Sequence, residues 1–283
     1  MEDIIDSYLD FAKKNPNYLV YSFVYFLLSV ALFRWQWWSW FLVAAVYMIA
    51  MVITFSAAGE WLMRTFNHVR PLDTAKEKNH LRPLFREVYQ KAKAANPELG
   101  SIELFIVDTM KVTTFALGNH TIAVSKGAMY TFSEEEMRAV FAHEIAHILY
   151  RDTAAALYAY VGNGIFMGMI LLIKLSVSLA QTIDSLRRSA DFMDVVLGAI
   201  ISAFLFLMQI AQARSSRKAE KRADDYALQL GYGEDLIEAL YLLEKMNLGG
   251  ERSIKQRLTA THPRITARIG RLETALGVQV EEG

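Results

Sequence analysis

Four long apolar runs constrain this chain more than any other feature, because they leave only the remaining segments to build a water-facing fold. They extend from Leu19 to Phe33, from Trp35 to Ala58, from Ala154 to Ala180 and from Phe192 to Ala211. About 20 apolar residues in a helix cross the hydrocarbon of a bilayer, and tryptophan favours its borders. Trp35, Trp37, Trp38 and Trp40 at one end of the second run, and Trp61 beyond the other, predict that the first two runs form a transmembrane hairpin. The third and fourth, joined by QTIDSLRRSAD, predict another. Length and the lack of a polar stripe argue against four helices buried in a soluble core. Lys174 interrupts the third run near its far end, where a long side chain can reach the interface. Hydrophobic residues make up 53% and charged residues 21% of the 283, as suits a membrane protein with a polar part.

Basic residues suggest the orientation. Lys13, Lys14, Arg64, Arg70, Arg151, Arg214, Arg217 and Lys218 flank the outer ends of the hairpins, against Arg34, Arg187 and Arg188 at their turns. The majority places the termini and the polar part on the cytoplasmic side of a plasma or inner membrane. MEDIIDSYLDFAKKN lacks the basic start and cleavage site of a signal peptide, so it reads as retained. The 30 basic and 30 acidic residues cancel, which leaves no field to attract a nucleic acid. With no cysteine, disulfides and thiolate metal sites are excluded, and a metal must be held by His, Asp or Glu.

Between the hairpins the period changes. LRPLFREVYQKAKAANPELG predicts a helix ending around Asn96, Pro97 and Gly100. IELFIVD, VTTFAL and HTIAVS, short and rich in β-branched residues, predict a small sheet near residues 102–125. TFSEEE then starts a new helix, with Ser133 as cap and Glu136 completing a capping box. That helix carries AVFAHEIAHILYRD, in which His143 and His147 are four apart and face one way. Two such imidazoles can hold a zinc ion that lowers the pKa of a water, with Glu144 placed to take its proton. The bland alternative is a core helix whose histidines merely form hydrogen bonds. It is weakened by the apolar surroundings, where unpaired imidazoles are costly. Downstream, Glu220 and Asp224 in ARSSRKAEKRADDYALQL are again four apart. They could supply a third ligand and a carboxylate that receives a histidine ring N–H. Arg217, Lys218, Lys221 and Arg222 in the same segment make a solvated charge run an equal reading.

Taken together, FALGNHTIAVSKGAM, AHEIAHILYRD, SSRKAEKRADDYA and THPRITARIGRL make the chain resemble the HtpX-like integral-membrane zinc metallopeptidases, relatives of the CaaX prenyl endopeptidases. The resemblance runs from the first hairpin through THPRITARI. It implies a mainly α-helical integral membrane protein with a small β-sheet and a zincin-like catalytic domain. It also implies that His143, His147 and Glu220 bind zinc, that Glu144 is the catalytic base and that Asp224 supports a ligand histidine. His262 matches the histidine of the family's C-terminal HP motif, where a donor could stabilise an oxyanion. Arg268 falls in the same motif and reads as a salt-bridge partner at least as well as a substrate contact. In related zincins an exposed strand before the active-site helix pairs with extended substrate, which would give ALGNHTIAV that role and let His120 line the cleft. As a lone histidine in a turn, His120 reads better as structural or solvent-facing. Where the family reads NAFATG this chain has TTFALG, Thr113 to Gly118, so the cleft contacts should differ.

The expected organisation is a transmembrane hairpin over 1–61, a first catalytic segment over 62–153, a second hairpin over 154–211 and a second catalytic segment over 212–283. The expected activity is zinc-dependent cleavage of misfolded or damaged membrane proteins, or of other unfolded polypeptides, beside a lipid bilayer. The alternatives are processing of prenylated peptides and a nonenzymatic membrane scaffold.

Overall fold

The computed structural model describes residues 2–32, 37–246 and 265–277. Helix α1 (Glu2–Lys14) is followed by α2 (Pro16–Leu32), α3 (Trp37–Phe55) and α4 (Ala57–Phe66). Next come strand β1 (Val69–Pro71), α5 (Ala75–Ala95), β2 (Glu103–Val107), β3 (Thr114–Leu117), β4 (Thr121–Ser125), and the short α6 (Lys126–Thr131). Helix α7 (Glu134–Leu149) leads into two long helices, α8 (Asp152–Gln181) and α9 (Asp184–Gln229). Helices α10 (Gly233–Met246) and α11 (Ile265–Leu276) complete the described chain. The architecture is thus mainly helical with one small mixed sheet, as the sequence predicts.

Among the described residues, two segments are long and apolar enough to cross a membrane, Trp37–Phe55 and Gly164–Gln181. Helix α2, at 17 residues, falls just short of the length of a typical span. The fourth apolar run and the Glu220 segment, read separately in the sequence, form one 46-residue helix, α9. At 1.5 Å per residue it extends about 69 Å. Apolar side chains such as Phe41, Ile49, Leu171, Leu175, Phe192 and Val195 are exposed along these helices, the reverse of a water-soluble surface.

The sheet has the order β1-β2-β4-β3, with β2 and β4 parallel and the other pairs antiparallel. Strand β4 is buried at every position between β2 and β3. The HTIAV part of ALGNHTIAV therefore has both edges occupied, and among the described residues the edge beyond it belongs to β3, in TTFAL. Helix α5 begins earlier than predicted, because Thr74 and Glu77 form a capping box that moves the start to Ala75. Val69–Pro71 adds an unanticipated strand on the opposite edge of the sheet.

Helix α7 runs through the middle of the core. Met137, Val140, Phe141, Ile145, Ile148 and Leu149 pack into one apolar cluster with residues of α5, the sheet, α9, α10 and α11. Apolar contacts on every side fix its rotation, and with it the direction of its few polar side chains.

Candidate active site

Both ends of α7 are tied down. At its start the Ser133 side chain accepts from the Glu136 backbone N–H, and the Glu136 carboxylate accepts from the Ser133 N–H, completing the predicted box. At its end Lys14 Nζ donates to the Leu149 carbonyl and Asn15 Nδ2 to that of Tyr150, each at 3.0 Å. These contacts satisfy carbonyls that the helix itself leaves open, and the lysine suits the negative end of the helix dipole. Arg151, at φ 60°, breaks the helix and turns the chain into α8.

One turn before that break, the His143 and His147 rings stand nearly perpendicular, with Nε2 atoms 3.2 Å apart. Glu220 on α9 meets them, its carboxylate oxygens 3.5 Å from His143 Nε2 and 3.8 Å from His147 Nε2. The three residues offer ligand atoms all within 4.8 Å of one another. This is the donor set and spacing of a site for a divalent cation, with two imidazoles and one carboxylate.

The outward ring nitrogens fit the same use. His143 Nδ1 lies 3.1 Å from Asp224 Oδ1, and His147 Nδ1 lies 3.2 Å from Asp152 Oδ2. An Nδ1–H that donates to a carboxylate leaves Nε2 with its lone pair facing the centre. Asp224 is fully buried and gripped by two arginines of α11. Arg268 donates to it through Nε at 3.0 Å and Nη2 at 2.5 Å, and Arg271 donates through Nη2 at 2.9 Å. Arg268 Nη1 also lies 3.1 Å from Glu220 Oε2, so the residue weighed between salt bridge and substrate contact clamps two carboxylates at once. Asp152 is held by Arg222 Nη2 at 2.5 Å.

Burial opposes charge on both His143 and Asp224, yet the net shifts favour it. Asp224 and Glu220 raise His143 well above the ordinary imidazole range, while His143 and Arg268 hold Asp224 below the ordinary carboxylate range. A cation binding at His143 Nε2 competes with that proton.

Glu144 is buried just outside the trio and accepts a hydrogen bond from Thr114 Oγ1 at 3.2 Å. It lines a cavity of about 300 Å³ together with Val112–Ala116, His143, His147, Glu220 and Arg268. One wall of this cavity is β3, which among the described residues has no strand partner on its side away from β4. A second cavity, of about 370 Å³, borders His147 and Asp152 and opens toward Asn15, Tyr18 and Met63 of the N-terminal helices.

Of the residues singled out in the sequence, the structure brings together His143, Glu144, His147, Glu220, Asp224 and Arg268. His120 is exposed and bonds through Nδ1 to the Ser101 carbonyl, away from the cavity. His262 lies outside the described residues. Sequence reasoning missed Asp152, Arg222, Arg271 and Thr114. Asp152 was signalled only by standing five residues after His147 in AHILYRD.

Residues 75–276 match the family described as Peptidase family M48. The chain is similar to a protease HtpX homolog of Levilactobacillus brevis, 27% identical over 300 residues that cover 92% of this chain and 96% of that one. A protease HtpX homolog of Polaromonas naphthalenivorans is 30% identical over 218 residues, covering 68% and 70% respectively. Among solved structures the fold is similar to that of S. mikatae Ste24p, with a TM-score of 0.58 at 18% identity over 95% of this chain. The chain spans 65% of the length of that protein.

Proposed function

The chain belongs to peptidase family M48, among its HtpX-like members, and is a membrane metalloprotease; on that premise we propose that it is a zinc endopeptidase cleaving misfolded or damaged membrane proteins. The observation that carries the reading is the convergence of His143, His147 and Glu220 beside Glu144, in a cavity walled by β3, an edge strand among the described residues. His143, His147 and Glu220 would hold the metal, with Asp224 fixing the ring of His143 and Asp152 that of His147. Zinc bound here supplies a Lewis acid that acidifies water and polarises a peptide carbonyl.

The remaining work falls to side chains and backbone. Glu144 takes a proton from the attacking water and returns it to the departing amine, while Thr114 orients its carboxylate. The edge of β3 pairs with extended substrate and sets the scissile bond beside Glu144. His262 would stabilise the developing oxyanion, a role that rests on the sequence resemblance alone. In this reading the segments 1–61 and 154–211 are membrane hairpins, and 62–153 with 212–283 form the catalytic part on the cytoplasmic side of a plasma or inner membrane. Such a site lies at the bilayer surface, within reach of membrane-protein loops and partly extracted segments.

The test measures metal content and cleavage of an unfolded membrane protein by wild type, Glu144→Gln and Glu220→Ala in one detergent. The expected outcome is about one zinc per chain in wild type and Glu144→Gln, weakened binding in Glu220→Ala, and turnover by wild type alone. Zinc-dependent turnover by Glu144→Gln would sink the assignment of the base. No zinc in any of the three after reconstitution would return the chain to a scaffold. A farnesylated peptide cleaved in preference would replace the substrate class.

A further inference from the structure

Glu60 is a buried carboxylate that the mechanism above does not use. It stands in the first turn of α4, just past the break at Ser56 that ends α3. Its Oε1 accepts from Thr121 Oγ1 at 2.5 Å, and its Oε2 accepts from the backbone N–H of Asn119 at 3.2 Å. Among the described residues, these hydrogen-bond donors are neutral. Burying a carboxylate on neutral donors is costly, and the start of α4 offsets only part of that cost through its dipole. From the other side, Thr153 at the start of α8 donates through Oγ1 to the Gly118 carbonyl at 2.5 Å. Gly118 has φ +55°, and a Cβ placed there would lie 2.6 Å from Glu60 Oε2. The turn between β3 and β4 therefore closes directly on the Glu60 carboxylate, which leaves room for no side chain at that position.

This turn is one end of the strand that walls the candidate cleft. Strand β3 is four residues long and, among the described residues, pairs on one side, with Leu117 opposite Thr121 and Thr114 opposite Val124. Its other side borders the cavity that holds Glu144, and near its start Thr114 touches the Glu144 carboxylate. So short an edge strand takes much of its placement from what holds its ends. We infer that Glu60 is a positioning residue for substrate: by gripping Asn119 and Thr121 it sets the edge of β3 against α7, so that the helices leaving the membrane govern how an extended polypeptide lies beside Glu144. The inference rests on the proposed peptidase reading and deepens it.

The test uses the full-length protein and steady-state cleavage of an unfolded polypeptide by wild type, Glu60→Gln and Glu60→Ala, with metal content measured alongside. A misplaced pairing edge weakens substrate binding. KM should rise roughly tenfold in Glu60→Ala and less in Glu60→Gln, which keeps one acceptor, with kcat and metal content close to wild type. A merely structural role would reduce the active fraction, lowering apparent kcat and leaving KM alone, and that result overturns the inference. A second readout needs no turnover. In a Glu144→Gln background, Glu60→Ala should weaken binding of the labelled polypeptide by the same factor in fluorescence anisotropy, and unchanged binding again overturns it. Thr121→Val removes one donor without leaving a hole, and its smaller rise in KM carries the test should Glu60→Ala fail to fold. A wild type that neither holds metal nor cleaves would bring down the peptidase reading itself. Wild-type turnover with a KM indifferent to Glu60 would bring down this inference alone.

Discussion

His143 and His147 stand on the same helix and turn the same nitrogen toward the same centre, yet they are supported by different parts of the molecule. Behind His143, Asp224 is fully buried, and two arginines of α11 close over it. Behind His147, Asp152 has a side chain 9% exposed and is held by Arg222. The Arg222 Nε is buried without a hydrogen-bond partner among the described residues, and the second cavity opens against this side. One chemical pattern, imidazole to carboxylate to guanidinium, is thus built once as a closed wall and once as an open rim. The closed side fixes geometry, while the open side, facing the N-terminal helices, is where the surroundings can move without dismantling the core.

That difference predicts unequal losses. Asp224→Ala removes the partner of His143 and the carboxylate that Arg268 and Arg271 share, leaving Arg268 to Glu220 and Arg271 to Asp225. Its effect should be the largest, about 100-fold in metal affinity, the upper end for loss of a carboxylate behind a ligand histidine. Breaking a buried ion pair also destabilises the fold, by an amount on the order of 3–5 kcal/mol. Chelator competition and thermal unfolding of the detergent-solubilised chain measure the two effects. Asp152→Ala should cost less, about tenfold in metal affinity, because water can enter beside His147 and replace part of what is lost. Equal losses would erase the distinction between wall and rim. A larger loss at Asp152 would reverse it.

The closed half was also the legible half. Glu220 and Asp224 lie four apart on a continuous helix, so their spacing alone puts them on one face. Asp152 follows His147 by five residues, and a continued helix would turn it away; Arg151 at φ 60° redirects the chain and brings it back. No periodicity records such a break. The same limit appears in the fold. Apolar runs located the long helices, but the sequence did not reveal that the fourth run continues unbroken into the helix that bears Glu220. The strands β2, β3 and β4 were found and β1 was not, and the position of β3 at the edge depends on β4 pairing with β2, a non-local choice. Glu60 was illegible for a related reason, since both of its partners lie about 60 residues away in sequence. Thr74 and Glu77 do carry a readable signal, the capping-box spacing, which sets the start of α5 ahead of its later apolar positions.

A second ion network, remote from the metal ligands and partly open to solvent, provides the control with the smallest effect on the site. Arg70 on β1 bonds to Glu77 at 2.8 Å and to Asp108 at 2.7 Å, and the Glu77 carboxylate also receives the backbone N–H groups of Asp73 and Thr74. The bond from Arg70, helped by those two N–H groups, outweighs burial and lowers Glu77 from 4.5 to about 2. A carboxyl group depressed on folding stabilises the native state at pH values above its unfolded pKa. The contribution from Glu77 is therefore complete above about pH 4.5 and fades as pH falls toward 2. Glu77→Gln should flatten the loss of thermal stability between pH 5 and pH 3, each taken as about the edge of that window, and leave metal affinity at neutral pH unchanged. If Glu77→Gln instead weakened metal binding as much as Asp152→Ala, strain in the sheet would be reaching α7 through β3. The contrast between wall and rim would then belong to the whole domain rather than to the two aspartates.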